Sequence, residues 1–202
     1  MKSKQTKKLV TKTAAGATRT TPSPARRHPA RATAPRRGEA DPIALLIADH
    51  RRVKTLLNAM QAARTESRRM ELIDQTIAEL TTHAEIEEQV FYPAFRAAAQ
   101  KARDRQQFHE ATEEHRTVDM VMPEVRQATG DPDVFAARAK VLKELVEHHV
   151  KEEQEEMFPR ARRILSADQL RTLGEQIAAR QRAAKAPAGI VRTVGKLVGL
   201  TR

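Results

Sequence analysis

Seven histidines and no cysteine set the chemistry open to this chain of 202 residues. Two of the histidines begin the same short pattern, His83-Ala-Glu-Ile-Glu87 and His149-Val-Lys-Glu-Glu153. On a helix, residues i and i+4 differ by about 40° in direction and about 6 Å in height, so an imidazole and a carboxylate at that spacing reach neighbouring points. One such pair in a Glu-rich chain carries little weight; its repetition carries much more. The two pairs lie 66 residues apart, and six residues after each Glu comes a proline preceded by an aromatic, Phe91-Tyr92-Pro93 and Met157-Phe158-Pro159. An acid–histidine dipeptide repeats upstream, Asp49-His50 and Glu114-His115, with a spacing of 65. The chain therefore reads as two helical hairpins of one design, each supplying a His and then a His with a Glu.

Four imidazoles and two carboxylates on apolar helix faces are costly to bury. Each ionised carboxylate carries a penalty of several kcal/mol unless positive charge offsets it. A metal centre supplies that charge. The absence of cysteine removes thiolate zinc sites, iron–sulfur clusters, disulfides and cysteine nucleophiles together. With nitrogen and oxygen donors alone the candidates are non-haem iron, manganese or zinc, and two carboxylates able to bridge favour two ions roughly 3.5–4 Å apart. No nucleophile constellation and no phosphate-binding glycine loop occurs, so hydrolases and nucleotide enzymes are disfavoured and no catalytic residue is assigned.

The elements that must position these groups are helices. Aromatic residues make up 3% of the chain and Trp is absent, a composition poor for a β-sandwich and favourable for an all-α fold. Asp41-Pro42 is a helix start, after which Ile43, Leu46, His50, Val53 and Leu57 step by three or four over about 42–63. Ile73, Ile77, Leu80, His83, Glu87 and Val90 predict a second helix over about 68–99 with a break or kink at Pro93. Phe108, Ala111, His115, Val118, Met122 and Val125 predict a third over about 104–129, bending at Pro123. Turn residues Gly130-Asp131-Pro132 precede a fourth helix to about Leu165, interrupted near Pro159, and Ser166 caps a short fifth over about 167–184. Four amphipathic helices with short connections pack most economically as an up-down-up-down four-helix bundle.

Taken together, Asp49-His50, His83-x3-Glu87 with Phe91-Tyr92-Pro93, Glu114-His115 and His149-x3-Glu153 with Phe158-Pro159 resemble the hemerythrin-like, or HHE cation-binding, domain over about 41–165. The resemblance implies a bundle around a non-haem di-iron site, with His50, His83, His115 and His149 as terminal ligands and Glu87 and Glu153 as bridges. The Glu-x-x-His signature of ferritin-like di-iron proteins occurs nowhere in the sequence. Oxygen-carrying members of the resembled family have a fifth His one turn before the third-helix ligand, where this chain has Ala111. That implies sensing or handling of O2, peroxide, NO or iron in place of oxygen transport, with a peroxidase- or catalase-like activity as the enzymatic variant. Asp119, Glu88 or a water are candidates for the missing donor. Tyr92, the sole tyrosine, is read as packing beneath the site in preference to a redox role. His148 with Glu152 also has i, i+4 spacing, but the 66-residue repeat sets His148 opposite Thr82 and gives the ligand role to His149. His109 falls on another helix face, His28 lies in the N-terminal arm, and Glu155 and Glu156 read as a solvated face.

The formal net charge of +11 is unevenly spread. Residues 1–40 hold eleven Lys and Arg against Glu39 alone, residues 180–202 hold six bases and no acid, and 41–179 is left at −5. The first forty residues, with Lys7-Lys8, Arg26-Arg27 and Arg36-Arg37, are expected to form a disordered basic tail able to neutralise nucleic-acid phosphates without reading sequence. A basic-tailed nucleic-acid-binding or scaffold protein is therefore the rival reading; a solubilising tail is the simpler one. Residues 166–202 are expected to hold the fifth helix and a basic tail in which Ile190, Val191, Val194, Leu197, Val198 and Leu200 form a short amphipathic segment for docking, pairing or contact with an anionic membrane surface. No run approaches the roughly 20 apolar residues of a membrane span, and no secretory signal is evident. A cytoplasmic location is expected, although the acid-poor N-terminus also resembles an organellar transit peptide.

Overall fold

The computed structural model describes residues 40–185, and among these every element is helical. The helices are α1 (Pro42–Gln61), α2 (Glu66–Ile86), α3 (Tyr92–Ala98), α4 (Ala102–Gln127), α5 (Pro132–Glu152), α6 (Phe158–Ile164) and α7 (Ala167–Lys185). Their starts follow local chemistry. The side chain of Asp41 accepts from the Ile43 amide at 3.1 Å with Pro42 in the first turn, and Asp131 accepts from Asp133 and Val134 at 3.0 Å with Pro132 in the same place. Before α7, Ser166 and Gln169 cap reciprocally: Ser166 Oγ accepts from the Gln169 amide at 3.2 Å, and Gln169 Oε1 accepts from the Ser166 amide at 2.8 Å.

The expected breaks at Pro93 and Pro159 take a specific form. Neither helix stops. Each passes through one π-helical turn, Glu87–Phe91 and Glu153–Met157, before continuing as α3 and α6. The proline nitrogen cannot donate and its ring clashes with the carbonyl four residues back, so a wider turn just ahead of it lets the helix proceed. The Tyr92 amide bonds the Glu87 carbonyl and the Phe158 amide bonds that of Glu153, five residues back in each case. Both wide turns therefore begin at the Glu of the HxxxE pattern. Pro123, by contrast, lies within a continuous α4.

Helices α1, α2, α4 and α5 form a closed ring in which each packs on two neighbours, the up-down-up-down arrangement expected. Two apolar clusters fill it. One gathers Leu46, Ile86, Phe91, Phe95 and Phe158 with Leu170, Leu173 and Ile177 of α7; the other gathers Val53, Leu57, Leu80, Val118, Phe135, Leu142 and Val146. Along each helix a histidine separates the two: His50 lies between Leu46 and Val53, His83 between Leu80 and Ile86, His115 between Ala111 and Val118, and His149 between Val146 and Met157. A polar layer thus crosses the bundle interior. No described helix is long and apolar enough to cross a membrane. Lys7, Lys8, Arg26, Arg27, Arg36, Arg37 and the apolar segment from Ile190 lie outside the described residues.

Helix α7 packs against α1 and α2, and Gly174 sits against the residues that lead into α1. A Cβ there would sit 1.7 Å from the Ala40 carbonyl oxygen, which is backbone and cannot swing aside. Gly174→Ala is therefore expected to destabilise the protein by about 1–3 kcal/mol, although alanine is the better helix former by about 1 kcal/mol. Urea unfolding monitored by circular dichroism checks the sign.

Candidate metal centre

The polar layer holds Glu87, 0% exposed, and Glu153, 1% exposed, among four buried imidazoles. The imidazoles come in two pairs whose ε nitrogens face each other. His50 Nε2 lies 3.0 Å from His83 Nε2, and His115 Nε2 lies 3.1 Å from His149 Nε2. Each carboxylate reaches both pairs. Glu87 Oε2 lies 3.2 Å from His83 Nε2 and 3.4 Å from His115 Nε2, and its Oε1 lies 3.8 Å from His50 Nε2. Glu153 Oε2 lies 3.2 Å from His50 Nε2 and 3.5 Å from His149 Nε2. All six side chains singled out in the sequence thus meet in one place.

The hydrogen bonding there is incomplete. Glu87 Oε1 and Glu153 Oε2 are buried without a hydrogen-bond partner, close to imidazoles but poorly aligned with them. Buried polar atoms are rarely left so, and two carboxylate oxygens aimed among four ε nitrogens fit a donor set for cations. The ligand-capable groups fall into two overlapping sets, His50 with His83, Glu87 and Glu153, and Glu87 with His115 and His149.

Charge follows the same geometry. Burial disfavours imidazolium, yet the Glu153 and Glu87 carboxylates beside it raise His50 to about 9, and Glu87, Glu88 and Glu153 raise His115 likewise to about 9. Burial pushes the Glu87 carboxyl up, but His83, His115 and His50 outweigh it and hold the group well below its usual range. Positive charge on His50 and His115 would thus offset the buried carboxylates wherever a cation does not.

The outer ring nitrogens have their own partners. Nδ1 of His115 meets Glu88 Oε1 at 2.9 Å, Nδ1 of His149 meets Glu114 Oε2 at 2.8 Å, and Nδ1 of His50 meets the Gln154 amide at 2.9 Å. His83 Nδ1 lies 3.9 Å from Asp49 Oδ2 and has no hydrogen bond; Asp49 is drawn instead to the Arg52 guanidinium and to Gln181 of α7, whose amide donates at 2.7 Å. Glu88, a candidate for the missing donor, thus stands on the outer nitrogen of His115, and Asp119, the other candidate, is exposed.

Sequence reasoning missed the reach of Tyr92. Its hydroxyl donates to Glu153 Oε1 at 2.9 Å and lies 3.3 Å from His115 Nε2 and 3.5 Å from Glu87 Oε2, so the side chain both packs and enters the donor set. Burial, with the charges of Glu153 and Glu87, pushes the phenol well above its usual range and keeps it a donor. The orienting roles of Glu114, Asp49 and Gln154 were missed as well, though the acid–histidine dipeptides carried the signal for the first two.

The family description for the hemerythrin HHE cation-binding domain matches residues 41–161. A solved structure of an HHE cation-binding domain-containing protein from Mycobacterium kansasii is similar with a TM-score of 0.60 and 27% identity, over 70% of this chain and 85% of that one. A DNA nickase from a Nostoc species is 28% identical over 137 residues, which is 68% of this chain; the match spans 37% of that relative's length.

A divalent ion on the ε nitrogens must displace the protons that His50 and His115 keep up to about 9. Uptake at pH 7 should release protons, and affinity should rise as pH increases toward 9, both measurable by calorimetry in buffers of different ionisation enthalpy. Without metal the sign reverses for stability. The stabilisation from these raised pKa values is complete below about 6.5 and is lost as pH rises through about 9.

Proposed function

Because this chain belongs to the hemerythrin HHE cation-binding family, we propose that its polar layer holds two non-haem iron ions and serves to sense or handle O2, peroxide, NO or iron. In this reading His50, His83, His115 and His149 are terminal ligands, Glu87 and Glu153 bridge, and residues 41–165 are the metal-binding unit. Manganese or zinc suits the same nitrogen and oxygen donors. The observation that carries the proposal is the pairwise convergence of four ε nitrogens on two buried carboxylates that keep an oxygen free of hydrogen bonds.

Bound iron would supply one-electron redox chemistry and a coordination position for a small ligand. The chain's own residues would set the conditions for it. Glu88 and Glu114 would fix the tautomers of His115 and His149 by accepting from Nδ1. Phe158 stacks on the His50 ring with centroids 5.7 Å apart and would help to fix its plane. Tyr92 holds a proton at Glu153 Oε1 and brings a phenol oxygen into the layer where Ala111 stands in place of a histidine. Support for ligand handling over carriage comes from that alanine and from the phenol beside it.

Protein from iron-supplied cells is expected to contain two irons per chain, with near-ultraviolet charge-transfer absorption. Glu87→Ala and Glu153→Ala should lose most of the metal, and folded protein free of iron, manganese and zinc would defeat the proposal. A peroxidase-like activity, if present, should vanish in the same two variants.

A second reading is favoured by the similarity to a DNA nickase together with the basic residues of 1–40. In it Lys7, Lys8, Arg26, Arg27, Arg36 and Arg37 neutralise phosphates and release counterions, giving binding without sequence readout. Electrophoretic mobility shifts should then show duplex DNA binding that weakens steeply with salt and disappears when residues 1–40 are deleted. Binding retained by the truncated chain would remove this reading.

A further inference from the structure

Beside Ala111 the wall of the bundle opens. A cavity of about 470 Å³ reaches inward there, with Ala111 and Glu153 at its buried end and Glu110, Glu114, Glu152 and Glu156 along its sides. Arg103 also lines it, but its guanidinium is taken up by Glu156 at 2.6 Å. A second cavity, of about 500 Å³, reaches His50 between α1 and α5 and carries Arg51, Lys54 and Lys151 against Glu147 and Glu155. A cation approaching the polar layer therefore meets an attractive field on the Ala111 side and a mixed one on the other.

At the rim of this cavity, where Glu114 and Glu152 line it, stands a third imidazole–carboxylate pair, its histidine lying just outside the lining. His148, 63% exposed, places Nε2 3.3 Å from Glu152 Oε1 and 3.5 Å from Glu114 Oε1. These three side chains can offer one donor each to a common ion. The pair has no counterpart in the first hairpin, where Thr82 and Ile86 stand at the equivalent positions, so the repeat that builds the polar layer does not account for it. Glu114 joins it to the interior, since its other oxygen accepts from His149 Nδ1 at 2.8 Å. Glu153 lines the inner end of the same cavity, and its Oε2, buried and without a hydrogen bond, faces the polar layer 3.5 Å from His149 Nε2, so the one side chain borders both.

We propose that Glu114, His148 and Glu152 form an outer site where a divalent metal ion docks before passing beside Ala111 to Glu153 and the buried centre. The histidine makes this more than an electrostatic funnel: it supplies a nitrogen donor to an ion that has shed part of its hydration and is still outside the bundle. Ala111 supplies the passage, being too small to close the gap that a larger side chain would fill. This inference rests on the reading of the polar layer as the metal centre.

The chain carries its own reporter for the test. Tyr92 is the sole tyrosine, Trp is absent, and the Tyr92 hydroxyl lies in the polar layer, so its emission responds to a quenching ion there. Stopped-flow mixing of the full-length metal-free protein with Co²⁺ at low salt should show His148→Ala and Glu152→Gln filling the centre about ten-fold more slowly than the wild type, to the same final extent. Equilibrium dialysis should count one Co²⁺ fewer on His148→Ala at saturation. Glu71→Gln, an exposed acid that lines neither cavity, should load at the wild-type rate. Both mouth residues are exposed, and circular dichroism confirms that the variants are folded. Wild-type loading rates in both mouth variants, or an unchanged ion count in His148→Ala, would overturn the outer site while leaving the centre intact. Absence of quenching and of bound Co²⁺ in every form would instead overturn the metal reading of the centre, and this proposal with it.

Discussion

Two carboxylates buried together are the constraint around which the rest of the structure is arranged. Glu87 and Glu153 are almost wholly inaccessible, and an ionised carboxylate in an apolar bundle carries a penalty of several kcal/mol unless positive charge lies beside it. Four imidazoles supply positions for that charge, as protons or as ligands to cations. Their helices have no freedom to rotate, because a turn that moved one histidine outward would leave a carboxylate uncompensated. The two apolar clusters are consequently set on either side of a charged layer, and the fold is tied to the charge state of that layer.

The repeat that builds the layer is faithful at its centre and altered around it. In both halves the acid before the first histidine turns toward the outer nitrogen of the histidine on the next helix, Asp49 toward His83 and Glu114 toward His149. In both halves the residue after the buried Glu crosses to the other hairpin, Glu88 to His115 and Gln154 to His50. The aromatic five residues after each Glu lies over an imidazole, Tyr92 over His115 and Phe158 over His50. One half thus has two close carboxylates behind its imidazoles and a phenol in front; the other has an amide, an aspartate held back by Arg52 and Gln181, and a plain phenyl ring. An outer carboxylate makes an imidazole a stronger donor, so two halves with the same frame differ in chemistry.

The frame was legible in the sequence because it depends on periodicity. Apolar spacing, the Asp41-Pro42 and Asp131-Pro132 starts and the 66-residue offset sufficed to bring His50, His83, Glu87, His115, His149 and Glu153 together. The rest depends on small angular changes that a regular helical wheel does not contain. The prolines announced a disturbance, but a break and a π turn read alike in sequence; only the latter keeps the helix running and resets its phase after Glu87 and Glu153. That reset carries the Tyr92 hydroxyl into the layer. Glu88 is legible as a neighbour of the layer, but helical spacing does not reveal which edge of the His115 ring it meets. The repeat offers His148 no partner in the first hairpin, and such comparison is blind to what one half has added alone.

Helix α7 shows that the environment of the polar layer is wider than the four helices that bear its histidines. It lies beyond the span matched by the family description, 41–161, yet Gln181 donates to Asp49 and Arg180 donates to Gln89 in the first π turn at 2.6 Å. Asp49 is the carboxylate that faces His83, the only one of the four imidazoles whose outer nitrogen has no hydrogen bond. Were Gln181 absent, Asp49 would keep only Arg52 and be freer to close on His83 as Glu114 closes on His149. The close seat of Gly174 on the Ala40 carbonyl holds α7 in the register that places Gln181 there. The imbalance between the two halves is therefore maintained in part by an element outside the repeat, through contacts that a bundle of α1, α2, α4 and α5 alone would lack.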